Sequence, residues 1–259
     1  MLLYRPRGGL RNAAALLYVH GGGFISGSAQ DYHRQCARFA NELGVLVVNV
    51  DYRLALKVPF PGPLEDCYAA LTWLKDHAAE LGVNPERIAL AGDSAGAGLA
   101  AGLAQLAHDR GEVQPAFQLL FYPMLDDRTV LLEQHDNRGE FVWTPGSNQL
   151  GWTAYLGHQP VLEQAPEYAV PARRMDLRGL APAWIGVGTL DLFYLEDKEY
   201  ARRLAEAGVP CEFFEVEGGY HASELFMSGA SVSAEFLERS LQALRQGLQL
   251  ADSAVARLS

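Results

Sequence analysis

Cysteine is scarce in this sequence and does not form a recognisable pattern. Three cysteines, Cys36, Cys67 and Cys211, are spread over the 259 residues. An odd number at such wide spacing argues against a disulfide framework, and no Cys-x-x-Cys or Cys/His pair suggests a metal site. We therefore expect all three to be reduced, buried packing residues, and we expect no metal site.

Positive charge and long apolar runs are also in short supply. The chain has 21 basic against 31 acidic residues, for a net charge of −10. Nucleic acids and anionic membranes attract basic surfaces, so neither is an expected partner. No window approaches the roughly 18 apolar residues of a membrane span, and the first residues are too short an apolar stretch for a signal peptide. We expect a cytoplasmic protein with no membrane span.

What the sequence does contain is an alternation of short apolar runs with amphipathic stretches. Most of the apolar runs have no polar alternation, which is typical of strands covered on both faces. They comprise residues 14–19, 45–50, 88–92, 117–122, 183–188 and 211–216. Stretches with helical spacing lie between them, and four of these end on a glycine. The alternation predicts a single α/β domain over residues 1–259, with a mostly parallel sheet flanked by helices.

One segment, about residues 126–179, interrupts this alternation. It has no clear strand, many prolines and four aromatic residues that look exposed: Phe141, Trp143, Trp152 and Tyr155. A helix is predicted to start after Thr144 and Pro145. Excursions of this length from a sheet often cover a ligand site, so we interpret the segment as a cap-like insertion. An irregular loop packed on its own aromatic residues is the alternative.

A candidate nucleophile follows the third of these apolar runs, residues 88–92. Gly92-Asp93-Ser94-Ala95-Gly96 joins a predicted strand directly to a predicted helix. A G-x-S-x-G pentapeptide in that setting makes a strained turn that raises the serine hydroxyl above the sheet. The glycines avoid collisions with the neighbouring strand and helix, and the helix amino terminus favours developing negative charge. The pentapeptide alone is a weak signal, but its strand–turn–helix context predicts that Ser94 is a nucleophile.

A second glycine-rich stretch, His20-Gly21-Gly22-Gly23, directly follows the first of these apolar runs, residues 14–19. Attack by a serine on an acyl carbon creates an oxyanion, and losing one donor to such an oxyanion costs roughly 2.7–4 kcal/mol. Glycines let bare amides approach the substrate, and loops of the HGGG type have this role in lipases and esterases. We assign Gly22, Gly23 and Ala95 as the donors. We expect His20 to hold the loop by side-chain hydrogen bonds rather than to transfer protons.

The serine also needs a base and a carboxylate that orients it. His221 is the histidine that follows a strand, whereas His108, His135 and His158 lie on a helix or in the irregular segment. Asp191 leaves the preceding strand within three residues. Glu196 and Asp197 lie further along and are interpreted as solvent-facing or structural, Asp176 is at the wrong end of its strand, and Asp66 and Asp93 are interpreted as local cap or turn residues. The predicted triad is therefore Ser94, His221 and Asp191.

At this point the sequence resembles the hormone-sensitive-lipase-like carboxylesterases of the α/β-hydrolase fold. The matching stretches include "VHGGGFISGS", "RIALAGDSAGAGLAAGL", "YPMLDDR" and "EGGYHAS", in the order of the family and over nearly the whole chain. The resemblance implies hydrolysis of small short-chain acyl esters without a cofactor. It also implies the same triad, the same oxyanion donors, and the supporting motif residues His20, Gly21, Gly92 and Gly96.

The sequence departs from the family pattern in places, though not at a predicted catalytic group. "DLF" follows the acid where D-P-L is usual, "HAS" stands where H-G-F is usual, and the usual amino-terminal cap helices have no counterpart. A reduced cap is therefore expected. Members of the family often pair through their last strand and helix, so a homodimer is an expected assembly.

Two other functions remain open at the level of sequence. One is an amidase or peptidase of the same fold, and the other is a non-catalytic receptor that keeps the pocket for a small ligand. Receptors of this kind typically lose the base, whereas His221 is present here. An ester hydrolase with a Ser-His-Asp acyl-enzyme mechanism is the leading prediction.

Overall fold

The computed structural model describes residues 1–250. Seven strands form one sheet in the order β1-β3-β2-β4-β5-β6-β7. Their bounds are Leu2–Tyr4 (β1), Ala13–Val19 (β2), Leu46–Val50 (β3), Val83–Asp93 (β4), Phe117–Phe121 (β5), Ala183–Gly188 (β6) and Cys211–Val216 (β7). All neighbouring strands are parallel except β1, which is antiparallel to β3. The predicted mostly parallel sheet is confirmed.

Helices cover both faces of the sheet. They are His33–Leu43 (α1), Gly62–Asp76 (α2), Ala78–Leu81 (α3), Ala95–Arg110 (α4), Pro145–Leu156 (α5), Tyr194–Glu206 (α6), Ser223–Phe226 (α7) and Ser231–Gly247 (α8). Helices α1 and α8 pack on one face, and α2, α4 and α6 pack on the other, so two apolar cores flank the central strands. Within residues 1–250, no helix combines the length and the apolar character needed to cross a bilayer.

Two strands differ from the sequence prediction. Strand β1 was missed because three residues are too few to show a periodic pattern, and its pairing with β3 is a long-range contact. Strand β4 begins five residues earlier than predicted, at Val83, because Asn84-Pro85 resembles a turn in sequence although Val83 pairs with Ala13 of β2. Neither difference moves the carboxyl end of a strand that carries a predicted site residue.

The cysteines are free, but they are not all buried as expected. Cys36 and Cys67 are buried, whereas Cys211 is half-buried. Cys211 begins β7, which is the edge strand of the sheet and therefore has a neighbour on one side only. Burial raises the pKa of the Cys36 thiol to about 12. A thiol of that kind is protonated at neutral pH and acts as a packing group.

Residues 126–179 contain no strand, and their central helix α5 begins at Pro145 with Thr144 as its N-cap, as predicted. The aromatic side chains of the segment were not all predicted correctly. Phe141 is exposed and Trp143 is half-buried, but Trp152 and Tyr155 are fully buried. They face inwards because Phe24, from the loop after β2, packs against both rings. The ring centroids of Phe24 and Tyr155 are 4.1 Å apart. This contact joins α5 to the glycine-rich loop, which is distant from it in sequence.

Candidate active site

Ser94 lies on a sharp turn between β4 and α4. Its backbone angles are φ 55° and ψ −122°, which is an unfavourable conformation for a residue with a side chain. The turn is held because Ser94 N–H donates to the Phe121 carbonyl oxygen at 2.9 Å, while its own carbonyl accepts from Met124 and Gly98. The predicted strained strand-to-helix turn is thus present, with the hydroxyl at the carboxyl edge of the sheet.

Three side chains from separate strand ends form a hydrogen-bonded chain at this edge. His221 Nε2 is 3.0 Å from Ser94 Oγ, and His221 Nδ1 is 2.8 Å from Asp191 Oδ2. The other oxygen of Asp191, Oδ1, accepts the Phe193 N–H at 3.0 Å, which fixes the carboxylate. Ser94, Asp191 and His221 are each at most 6% exposed. The arrangement can draw a proton from Ser94 to His221 while Asp191 holds the imidazole tautomer.

The glycine-rich loop passes directly beside this serine. A Cβ atom on Gly21 would lie 3.5 Å from Ser94 Cβ and 3.0 Å from the Asp93 carbonyl oxygen. Ala95 is the first residue of α4, so its N–H has no acceptor within the helix. Across residues 1–250, the N–H groups of Gly22 and Gly23 likewise donate to no protein acceptor. Gly22, Gly23 and Ala95 therefore each have an N–H group that no acceptor in residues 1–250 occupies.

The glycines that flank Ser94 allow the two loops to approach each other closely. A Cβ atom on Gly96 would lie 2.2 Å from the carbonyl oxygen of Val19 and 2.3 Å from that of His20. A Cβ atom on Gly92 would lie 2.7 Å from the Val19 oxygen and 2.5 Å from the backbone carbon of Gly96. Contacts this short do not occur for real side chains, so the approach depends on glycine at both positions.

His20, the first residue of the glycine-rich loop, is fully buried. Its imidazole stacks on Tyr52, with ring centroids 4.2 Å apart, and its Nδ1 is 2.8 Å from the Gly21 carbonyl oxygen. Tyr52 Oη donates in turn to the His20 carbonyl oxygen at 3.0 Å. Burial lowers the pKa of His20, which favours the neutral ring. A neutral, stacked imidazole suits the loop-holding role that the sequence predicts.

Comparison with known proteins identifies the family of this chain. A family model described as "alpha/beta hydrolase fold" matches residues 16–225. The carboxylesterase NlhH of Mycobacterium tuberculosis is 36% identical over 244 residues, which cover 92% of this chain and 75% of that protein. The chain belongs to the α/β-hydrolase family.

Other relatives of this α/β hydrolase narrow the group further. The solved structure of a bacterial heroin esterase superposes with a TM-score of 0.89 at 41% identity, covering 95% of this chain and 78% of the esterase. Bovine (Bos taurus) hormone-sensitive lipase is 42% identical over 98 residues, which are 38% of this chain and 13% of the lipase. The resemblance to hormone-sensitive-lipase-like carboxylesterases is confirmed, and the chain is a carboxylic ester hydrolase.

Three aromatic rings that the sequence reasoning did not assign to the site surround the imidazole of this hydrolase. Tyr122 and Phe193 meet the His221 ring edge-on, at 4.9 and 5.3 Å between centroids, and the Trp143 ring lies 6.3 Å away. Tyr122 follows β5 and Phe193 follows Asp191, so their positions at strand exits were a usable signal. Trp143 lies in residues 126–179, far from His221 in sequence. A contact between such distant residues leaves no local pattern in the sequence.

A pair of buried acids also lies close to Ser94 in this hydrolase. Tyr18 Oη donates to Asp93, and Tyr122 Oη donates to Glu224 at 2.6 Å while lying 3.5 Å from Asp93. Burial, reinforced by the Glu224 carboxylate, raises the pKa of Asp93 well above its ordinary value. Burial also raises the pKa of Glu224. The expectation that Asp93 is a local turn residue is therefore incomplete. Asp93 also connects the turn at Ser94 to β2, because it accepts the hydrogen bond from Tyr18 of that strand.

The remaining acidic and histidine candidates of the hydrolase lie outside the serine chain. Glu196 and Asp197 are buried, which corrects the solvent-facing alternative, and Glu196 is structural because it accepts the Leu125 and Asp126 N–H groups. The other candidates form local contacts: Asp66 pairs with Arg53, Asp176 with Arg178, His108 lies against Gly179, and His158 contacts the Gln159 carbonyl oxygen.

Proposed function

We propose that this carboxylic ester hydrolase cleaves short-chain acyl esters through an acyl-enzyme on Ser94. Ser94 Oγ attacks the ester carbonyl carbon as its proton passes to His221 Nε2. The C–O bond to the alcohol then breaks, and the same proton goes from His221 to the departing alkoxide. Asp191 orients His221 and stabilises its cationic form during both steps. The observation that carries this proposal is the 3.0 Å and 2.8 Å chain from Ser94 through His221 to Asp191.

The tetrahedral intermediate needs donors for its negative oxygen, and we assign this role to Gly22, Gly23 and Ala95. The support is that these N–H groups have no acceptor in residues 1–250, that the loop carrying Gly22 and Gly23 approaches Ser94 at Gly21, and that Ala95 adds the positive end of the α4 dipole. His20, Gly21, Gly92 and Gly96 support the hole by fixing the two loops that meet there.

The second half of the reaction repeats the chemistry with water. His221 removes a proton from a water molecule, the resulting hydroxide attacks the acyl carbon, and the bond to Ser94 Oγ breaks. The serine regains the proton from His221, and the carboxylic acid is released. Acid, base and nucleophile all come from the chain, so the reaction balances with ester and water as the reactants.

Residues 126–179 act in this proposal as a cap-like insertion within a single domain. The support is that Trp143 and α5 lie over the glycine-rich loop: the Gly23 carbonyl oxygen would be 2.8 Å from a Cβ atom on Gly151 of α5. A segment that touches the oxyanion loop narrows the space above the serine, which favours small acyl groups.

The test compares Ser94→Ala with wild type on p-nitrophenyl acetate and p-nitrophenyl butyrate. Loss of the nucleophile is expected to lower kcat by at least about 10⁴-fold. Ser240→Ala is the matched control, because Ser240 Oγ is a buried donor to the Leu237 carbonyl oxygen far from the site, and it should keep wild-type turnover. Full activity of Ser94→Ala would overturn the proposal.

A further inference from the structure

Trp143 occupies an unusual position over the glycine-rich loop. A Cβ atom on Gly23 would lie 2.0 Å from Trp143 Cη2, and one on Gly151 would lie 3.3 Å from Cζ2. The six-membered ring of the indole is therefore packed against two backbone positions that have no side chain. Gly23 is an assigned oxyanion donor, and the indole lies 6.3 Å from the His221 ring. The ring thus stands beside the atoms that surround an ester carbonyl.

Several contacts fix the indole in this position. Trp143 Nε1–H donates to Asn148 Oδ1 at 3.3 Å, and Asn148 is itself fully buried in α5. The backbone before it makes a tight turn, in which Trp143 N–H donates to the Phe141 carbonyl oxygen at 2.7 Å and Val142 has φ 63°. A positive φ is a true outlier for a β-branched residue. Strain kept in the residue directly before Trp143 suits a functional position for the indole.

The chemistry determines which part of the ester meets this wall. The acyl carbon bonded to Ser94 Oγ carries three other groups. The oxyanion faces the amides of Gly22, Gly23 and Ala95, and the leaving oxygen must lie within reach of His221 Nε2. We assign the acyl chain to the remaining direction, on the side of the indole and of Met124, whose Cε would lie 3.4 Å from a Cβ atom on Gly151. That surface is apolar, as a hydrocarbon chain requires.

We infer that Trp143 is the specificity-determining residue for acyl length, closing the acyl pocket after a few carbon atoms. The inference rests on the proposed function, since it places the acyl chain relative to Ser94 and the oxyanion donors. Ser94 is only 6% exposed, so little open space surrounds its hydroxyl. One buried methylene contributes about 0.8 kcal/mol, which is close to a fourfold change per carbon atom.

The experiment measures kcat/KM for p-nitrophenyl acetate, butyrate, octanoate and decanoate with wild type, Trp143→Phe and Trp143→Ala. For Trp143→Ala, the ratio of octanoate to acetate is expected to rise at least tenfold, with an intermediate rise for Trp143→Phe. Phe141→Ala is the matched control, because Phe141 is 55% exposed and contacts Tyr220 rather than the glycine-rich loop. An unchanged ratio in Trp143→Ala, or an equal rise in Phe141→Ala, overturns the inference.

A labelling measurement separates this inference from the proposed function and does not require turnover. Ethyl and octyl p-nitrophenyl phosphonates are compared by their second-order rates of covalent attachment, followed by intact mass. Selective acceleration of the octyl reagent in Trp143→Ala supports the assignment of the acyl wall. Attachment to Ser94 with an unchanged ratio rejects the assignment alone, whereas no attachment to wild-type Ser94 rejects the proposed function. Circular dichroism and Tm show whether each variant is folded, and Trp143→Phe supplies the test if Trp143→Ala is not.

Discussion

Asp191 and Asp197 are both buried in the chain segment that connects β6 to β7, but their hydrogen bonding differs. Asp191 accepts two hydrogen bonds, one from His221 and one from the Phe193 backbone. Neither oxygen of Asp197 has a hydrogen-bond partner in residues 1–250. Burial, followed by the nearby Glu196 and Asp191 carboxylates, raises the pKa of Asp197 well above its ordinary value of 3.8. Burial therefore favours the neutral form of Asp197.

The raised pKa predicts how stability depends on pH. Asp197 stays protonated in the folded protein while it ionises in the unfolded chain above pH 3.8, so its contribution is complete below that pH and is lost as pH rises towards the folded pKa. Asp197→Asn cannot ionise. We expect the free energy of unfolding of this variant, relative to that of wild type, to rise from pH 4 to pH 8 by up to about 1.4 kcal/mol per pH unit. The Tm of the variant should rise relative to that of wild type over the same range.

The measurement is differential scanning fluorimetry or calorimetry across that pH range. A constant offset between Asp197→Asn and wild type would report only the exchanged amide and would contradict a neutral Asp197. Esterase activity serves as the second readout, because Asp197 makes no hydrogen bond to His221 and the variant should keep its turnover.

The three residues of the proposed triad could be predicted from the sequence, but their surroundings could not. Ser94, Asp191 and His221 each follow a strand, and the carboxyl ends of parallel strands meet at one edge of the sheet. The solvent-facing alternative for Glu196 failed because the first turn of α6 packs beneath the loop after β5, where Glu196 accepts the Leu125 N–H. Burial of an acid depends on such tertiary contacts, and a single sequence does not display them.

At the scale of elements, the site depends on how closely α4 lies against the end of β2. The carbonyl oxygens of Val19 and His20 occupy the space where a side chain on Gly96 would start. The sequence indicated this approach, because Gly92, Gly96 and Gly98 cluster around Ser94. It did not indicate the neighbour of Gly98: a Cβ atom on Gly98 would lie 2.2 Å from the Met124 carbonyl oxygen.

Gly96→Ala is expected to force the glycine-rich loop and α4 apart. Overpacking of this kind typically costs about 1–3 kcal/mol, and displacement of the oxyanion donors should lower kcat in addition. Gly146→Ala is the matched control in α5, because a Cβ atom there would meet nothing closer than Thr144 Oγ1 at 4.0 Å. That change should raise stability by up to about 1 kcal/mol.

Chemical denaturation measures both free energies of unfolding, and p-nitrophenyl acetate turnover measures the second effect. Equal stability and activity of Gly96→Ala and wild type would contradict the proposed close approach of the two elements.

At the scale of the whole molecule, alternation of strands and helices predicted the sheet, whereas contacts between distant loops were beyond reach. The antiparallel strand β1 is too short for a pattern, and the burial of Trp152 and Tyr155 follows from Phe24, more than 100 residues away. These same contacts join residues 126–179 to the glycine-rich loop. In the proposed function, the carboxyl edge of the sheet carries the reacting groups and residues 126–179 limit the space above them.

The most direct test of the account is a crystal structure of the protein after reaction with diethyl p-nitrophenyl phosphate, whose phosphoryl group mimics the tetrahedral intermediate. We predict one adduct, on Ser94 Oγ, with its phosphoryl oxygen about 2.7–3.1 Å from the backbone nitrogens of Gly22, Gly23 and Ala95. An adduct on another residue, or a phosphoryl oxygen that faces solvent instead of these amides, would contradict it.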